Sequence, residues 1–242
     1  MISIPTNPAF HLAFDAMAWG TSIALGVLLY KWRLAETTAK VAGVASGGYF
    51  TCLAIGAVIG AYVSGSLTFW DQGIFALAHS VAGGLVGATL GVELFKLSRG
   101  IKFSTGIIFV GPFAIGIVIG RWGCLFAGLP DQTFGSPTSL AWAVDLGDGI
   151  PRHPVQIYES LSMAAFLIAF LIGLHFRANW ALQQGFYWLA IIYGAQRFLW
   201  EFLKPYPPIL GPFNQFHLLC AGLVFYGIFM IARKSNSEAT KA

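Results

Sequence analysis

Charge is scarce in this chain: Asp, Glu, Lys and Arg make up only 10% of its 242 residues. A soluble domain carries roughly 25%, so too little charge is present to coat a water-facing surface. Cysteine is scarce as well. Cys52, Cys124 and Cys220 stand far apart with no CxxC spacing, so neither a disulfide framework nor a zinc site is expected. Cys52 and Cys220 read as small apolar residues in helices. There is no basic stripe, because Lys and Arg are scattered, and nucleic acid is therefore not an expected partner. Segments of about ten residues with alternating polarity, the mark of a membrane β-barrel, are missing. The first ten residues carry no basic stretch and contain Pro and Asn, so a cleaved signal peptide is not expected. Nothing in the composition asks for a cofactor or a metal.

What is present is apolar sequence. Hydrophobic residues make up 57% of the chain and the mean hydropathy is +0.71. They gather in blocks of about twenty residues, the length of a membrane-spanning helix. The fold class expected is all-α: a single integral membrane domain over 1–242 with about seven transmembrane helices, at roughly 12–30, 42–67, 74–95, 104–127, 157–176, 184–203 and 214–232. If each block crosses once, Lys31, Arg33, Lys40, Lys96, Arg99, Lys102, Arg177, Arg233, Lys234 and Lys241 share one side. Asp71, Asp131, Asp145, Asp148, Arg152 and Lys204 share the other. The positive-inside rule makes the first side cytoplasmic. The N-terminus and a polar loop at about 128–155 are then extracytoplasmic, and the C-terminus is cytoplasmic. Leu140 to Val144 within that loop reads as a short strand or a surface-lying piece. A second outer segment, 204–213, is stiffened by four prolines.

Charged side chains within apolar blocks are costly and read as functional. Arg121 ends the fourth block, Glu159 opens the fifth, and Arg197 and Glu201 lie four apart on one face of the sixth. Arg152, His153, Gln156, Tyr158 and Gln215 fall at the same depth. Arginine presents a planar donor fork that suits phosphate, and at headgroup level the phosphate at hand is that of an anionic phospholipid. The bland alternative is a network of ion pairs, Arg197 with Glu201 and Arg121 or Arg152 with Glu159. His79 reads as a helix-packing histidine; His11, His175 and His217 read as interfacial. Glu93 is expected to pair with Lys96 or Arg99, and Cys124 to be packed. Gly56 and Gly60, and Gly84, Gly87 and Gly91, have the small-residue spacing that lets helices approach closely; the Gly83-Gly84 pair could also open a helix beside a ligand.

At these residues the chain resembles the bacterial phosphatidylglycerol–prolipoprotein diacylglyceryl transferases. Gly120-Arg121-Trp122-Gly123 matches the start of that family's Gly-Arg-x-Gly-Asn-Phe-x-Asn-Gly-Glu signature. Arg152 to Glu159 completes its Arg-His-Pro-x-Gln-x-Tyr-Glu motif. Tyr193, Gly194, Arg197 and Glu201 complete its Tyr-Gly-x-x-Arg-x-x-x-Glu motif, Gly83, Gly84 and Gly87 its Gly-Gly-x-x-Gly, and Gln215 stands for its last-helix glutamine. The family's catalytic histidine falls at Ala82, its signature asparagines at Cys124 and Ala127, and its glutamate at Leu129.

The resemblance implies a multi-pass enzyme of the bacterial inner membrane. It would move a diacylglyceryl group from phosphatidylglycerol to the lipobox cysteine of prolipoprotein signal peptides. Arg121 and Arg197 would hold the phosphate, and Glu201 or Glu159 would orient an arginine. Gln156 or Tyr158 would bind the glycerol headgroup, while Arg152 and His153 line the mouth. Tyr193, Gly83, Gly84 and Gln215 complete the substrate set. With Ala82 in place of the histidine, His153 or His79 would supply the base. The alternatives are a homologue that binds or transports phospholipid without catalysis, or one that uses a different acceptor.

Overall fold

The computed structural model describes residues 2–239 except Asp71, Gln72 and Ile74; the side chains of Phe69 and of residues 234–239 also lie outside the description. The expectations placed on Asp71, Lys241 and the Lys234 side chain fall outside it too.

The fold is all-α. The helices are α1 (Ala9–Leu29), α2 (Ala35–Ala42), α3 (Gly47–Trp70), α4 (Val81–Ser98), α5 (Ile107–Ala127), α6 (Val155–His175), α7 (Asn179–Glu201) and α8 (Gln215–Ala239). A π-helical turn, Tyr30–Leu34, joins α1 to α2 without a break, so the first apolar block continues as one 34-residue rod, Ala9–Ala42, rather than ending near residue 30. Among the described residues six segments are long and apolar enough to cross a membrane: that rod, α3 to Thr68, α4, α5, α6 and α8 to Arg233. The sixth apolar block forms α7, which is 23 residues long but not among the six. Its polar residues are the reason, Arg197 and Glu201 among them.

Two helix starts differ from the sequence pattern. The third block begins its helix only at Val81, because the Ser80 side chain caps it, accepting from the Gly83 amide at 3.3 Å. His79 therefore lies in extended chain, not within a helix. The second block starts at Gly47, after a turn. In the polar loop the strand is Val144–Asp145 (β2), in parallel register with Ile2–Ser3 (β1).

The helices alternate between two ends. At one end Asn7 bonds Phe126, Ser136 bonds Leu203 and Tyr206 bonds Gln132. At the other, Arg33 reaches the His175 carbonyl, Arg177 approaches Glu36, and Tyr226 donates to Glu93. Leu12, Trp19, Ile23, Leu94, Leu161 and Phe225 face outward along the bundle, a surface that suits hydrocarbon and not water. The shared core is built on Val110, Ala114, Met163, Phe170, Leu189 and Tyr193.

Glycine sets the α3–α4 crossing. A Cβ at Gly56, Gly60, Gly83, Gly87 or Gly91 would strike backbone or side chain of the facing helix, so the two backbones touch. In lipid such contact replaces the hydrophobic drive that helices have in water.

Candidate active site

The site begins with α6. Gln156, Glu159, Ser160 and Met163, spaced at three, four and seven, form its buried face. Ser160 pins that face to α5 by donating to the Val118 carbonyl at 2.7 Å. This leaves Glu159 fully enclosed, and three cations meet on it. Arg121 Nε, from the last turns of α5, lies 2.6 Å from Oε2. Arg197 Nη1, from α7, donates to both oxygens at 2.9 and 3.0 Å. Lys204 Nζ, from the turn after α7, donates at 2.7 Å. One helical turn beyond Arg197, Glu201 lies 3.0 Å from Arg197 Nε and 3.9 Å from Lys204, and it accepts from Asn214 at 3.2 Å. The Arg197 guanidinium also stacks over Phe216 at 5.5 Å. Burial, followed by repulsion from Arg197, pushes the Lys204 ammonium below its ordinary value, against the pull of Glu159 and Glu201.

Three cations against two carboxylates leave this enclosed cluster one positive charge in excess. An isolated charge away from water is expensive, and burial lowers the proton affinity of Lys204 for that reason. Buried polar atoms without a hydrogen-bond partner lie on the same helices: Gln156 Nε2 on α6 and the Tyr193 hydroxyl on α7. The Tyr193 ring packs edge-on to Phe113 at 5.2 Å.

Several other expected site residues have different surroundings. Arg152 does not reach Glu159. It makes a two-pronged pair with Asp148 at 2.6 and 2.7 Å, bonds the Ile150 carbonyl and covers Phe134. That pairing holds the Asp148 carboxyl down at about 2. Two neighbours in the motif are also placed apart from the cluster, Tyr158 by the turn of α6 and His153 by the loop before it. Tyr158 faces away from Glu159, accepting from Trp142 at 2.8 Å beside Trp200. His153 is held by its amide to Ser136, with a buried Nδ1 that has no hydrogen-bond partner. Gln215 turns to α3, donating to the Ser64 carbonyl at 2.9 Å and to Thr68. Gly83 is pressed against Ser64 and Gly60, while Gly84 meets only Ala61 and Ala57 at ordinary contact distance; α4 is not opened at either. Ala82, where the resembling family has its histidine, is buried. His79 is exposed, with Tyr62 as a ring neighbour at 6.3 Å.

Two members were not foreseen. Lys204 had been read as a loop charge; its spacing of three from Glu201 was the available signal. Asn214 carried none.

A second polar group adjoins Arg121. His11, in the first turn of α1, presents Nε2 to Asp131 Oδ1 at 3.1 Å and to Cys124 Sγ at 3.7 Å. Arg121 Nη1 stands 3.8 Å from the same sulfur. The two groups thus share one arginine.

An apolar helix bundle with a buried, cation-rich centre at one end defines a class: a multi-pass membrane protein with an ionic centre inside its bundle. The comparisons make it particular. Residues 7–233 match the family model described as prolipoprotein diacylglyceryl transferase, and the chain belongs to that family. It is 27% identical over 230 residues to the phosphatidylglycerol–prolipoprotein diacylglyceryl transferase of Finegoldia magna, covering 89% of this chain and 90% of the relative. For the Polynucleobacter necessarius protein of the same name the figures are 30% over 222 residues, 86% and 80%. For that of Bordetella parapertussis they are 33% over 158 residues, 64% and 55%. No solved structure matches the chain. By family it is an enzyme, a diacylglyceryl transferase of a membrane.

Proposed function

We propose that the donor is phosphatidylglycerol, that its phosphate is held by Arg121 and Arg197, and that the acceptor is the lipobox cysteine thiol of a prolipoprotein signal peptide. The observation that carries this reading is the meeting of Arg121, Arg197 and Lys204 on the single carboxylate of Glu159. Glu159 holds the cations at fixed spacing, and their excess charge favours a phosphodiester. As the acceptor sulfur, its proton released to solvent, forms its bond to the diacylglyceryl carbon, the carbon–oxygen bond to phosphate breaks. Glycerol phosphate leaves with the electron pair and gains negative charge. Preorganised guanidinium donors stabilise that charge more than the ground state, which is how they accelerate the step. Gln156 and Tyr193, with polar atoms left unpaired in the buried wall, are the residues we assign to the glycerol headgroup.

The same reading gives the topology. Seven crossings, with α7 as the polar sixth, set the Glu159 end at the extracytoplasmic face of a bacterial inner membrane. Arg33, Lys40, Lys96, Arg99 and Lys102 then face the cytoplasm.

The test is transfer of labelled diacylglyceryl from phosphatidylglycerol to a lipobox peptide by purified protein. Arg197→Ala is expected to lower the rate by roughly 100-fold or more while folded protein is retained. Full activity in that variant removes the phosphate assignment. A second reading rests on Ala82: with no histidine there, the protein would bind phospholipid without transferring it. Bound label in the protein and none on the peptide would favour that reading.

A further inference from the structure

We propose that His11, Cys124 and Asp131 form a zinc site that the family signature does not contain. Cys124 replaces a signature asparagine, and Asp131 follows the Leu129 that replaces its glutamate. The fold brings Cys124 and Asp131 together with His11. Gly128, at φ +74°, turns the chain back after α5 and carries Asp131 over the first turn of α1, where His11 waits.

Two of the three donor spacings come close to the edges of a tetrahedral zinc set. Zinc bonds of about 2.0–2.3 Å to nitrogen, oxygen and sulfur place neighbouring donors about 3.3–3.8 Å apart. Here His11 Nε2 lies 3.1 Å from Asp131 Oδ1 and 3.7 Å from Cys124 Sγ, and all three donor atoms fall within 4.8 Å of one another. A mixed thiolate, imidazole and carboxylate set suits zinc over calcium or magnesium, which take oxygen. Each donor is also oriented from behind. His11 Nδ1 faces Asp15 Oδ2 at 2.9 Å, the carboxylate–histidine pairing that metal-binding histidines use to fix their tautomer. Thr133 donates to the other oxygen of Asp131. Arg121 Nη1 stands 3.8 Å from the Cys124 sulfur.

A zinc held by three protein donors keeps a fourth position for water or substrate, and a thiol bound there gives up its proton to solvent. The sulfur then attacks as a thiolate. This supplies the deprotonation that Ala82 has lost, a step that rests on the transferase reading above; the site itself does not.

The experiment is metal analysis of the purified full chain in detergent, followed by replacement with cobalt. Stoichiometric zinc and a thiolate-to-cobalt charge-transfer band are expected. C124S should lose the band and His11→Ala the metal, and Asp15→Asn should weaken zinc affinity by roughly 10–100-fold. Arg197→Ala should keep the metal, so a failed transferase reading leaves this readout intact. A helical wild-type protein that takes up neither metal, or a band that survives in C124S, overturns the site. A lipobox peptide should perturb the cobalt band where its Cys→Ser form does not; an unchanged band overturns the activation step.

Discussion

The α3–α4 pair and the α5–α6–α7 group hold helices together in opposite ways. The first strips the crossing of side chains, so that Gly56 and Gly60 meet Gly83, Gly87 and Gly91 backbone to backbone. The second fills the crossing with ions, so that Arg121, Arg197 and Lys204 converge on Glu159. Both answer one problem: apolar side chains gain little from each other when the solvent is also apolar. Close packing solves it at small cost. Burying charges solves it at high cost, and replacing such networks by apolar residues is often neutral or stabilising elsewhere. The protein bears that cost in α5–α7 and avoids it in α3–α4.

Breaking the ionic half should have the largest effect. Glu159→Gln leaves three cations facing one carboxylate and should cost about 3–5 kcal/mol, read as reduced helicity and a lower unfolding temperature in detergent. Equal stability to the parent would mean the cluster is solvated and the contrast unfounded. The glycine half should respond less. Gly87→Ala drives a methyl group onto the Gly56 carbonyl and to 2.9 Å from the Gly60 Cα, and should cost about 1–3 kcal/mol. Gly84→Ala sharpens the same point. Its methyl would lie 3.5 Å from the Ala61 Cβ, so the change should be neutral, or stabilising by up to about 1 kcal/mol through helix propensity. The smallest effect belongs to the Arg152–Asp148 pair, in which a partly exposed carboxylate meets a buried arginine. Its carboxyl titrates near 2 in the folded chain against an ordinary 3.8. The pair's contribution is complete above 3.8 and fades as pH falls toward 2. Exchange protection of the Val144 and Arg152 amides, which bond each other's carbonyls at 3.0 and 2.9 Å, should fall only in that window. Loss of protection at higher pH would show that the pair does not brace the loop.

How much of this was legible follows from what kind of signal each residue carries. Long apolar blocks announce helices, and all seven became long helices. Their ends shifted where a local rule was overlooked: the Ser80 cap delays α4, and the π turn at Tyr30 carries α1 onward. Arg197 and Glu201 could be paired on spacing alone, and Arg121 with Glu159 on depth. Arg152 was drawn toward Glu159 by depth, although Asp148, four residues before it, was the nearer partner. Lys204 looks like a loop charge because it sits at the start of a proline-rich, largely exposed segment, and only its spacing from Glu201 hints that its side chain turns inward. His11, Cys124 and Asp131 come from three separate elements, and only tertiary packing brings them together.

The stitching between the loops has a mechanical consequence. Ser136 bonds Leu203 at 2.6 Å, His153 bonds Ser136, and Tyr206 reaches Gln132 at 2.9 Å. The connections after α5 and after α7 are therefore one roof rather than two flaps. Lifting either would drag on Lys204, whose ammonium is bolted to Glu159 beneath. Whatever displaces one of these loops is therefore resisted by the other.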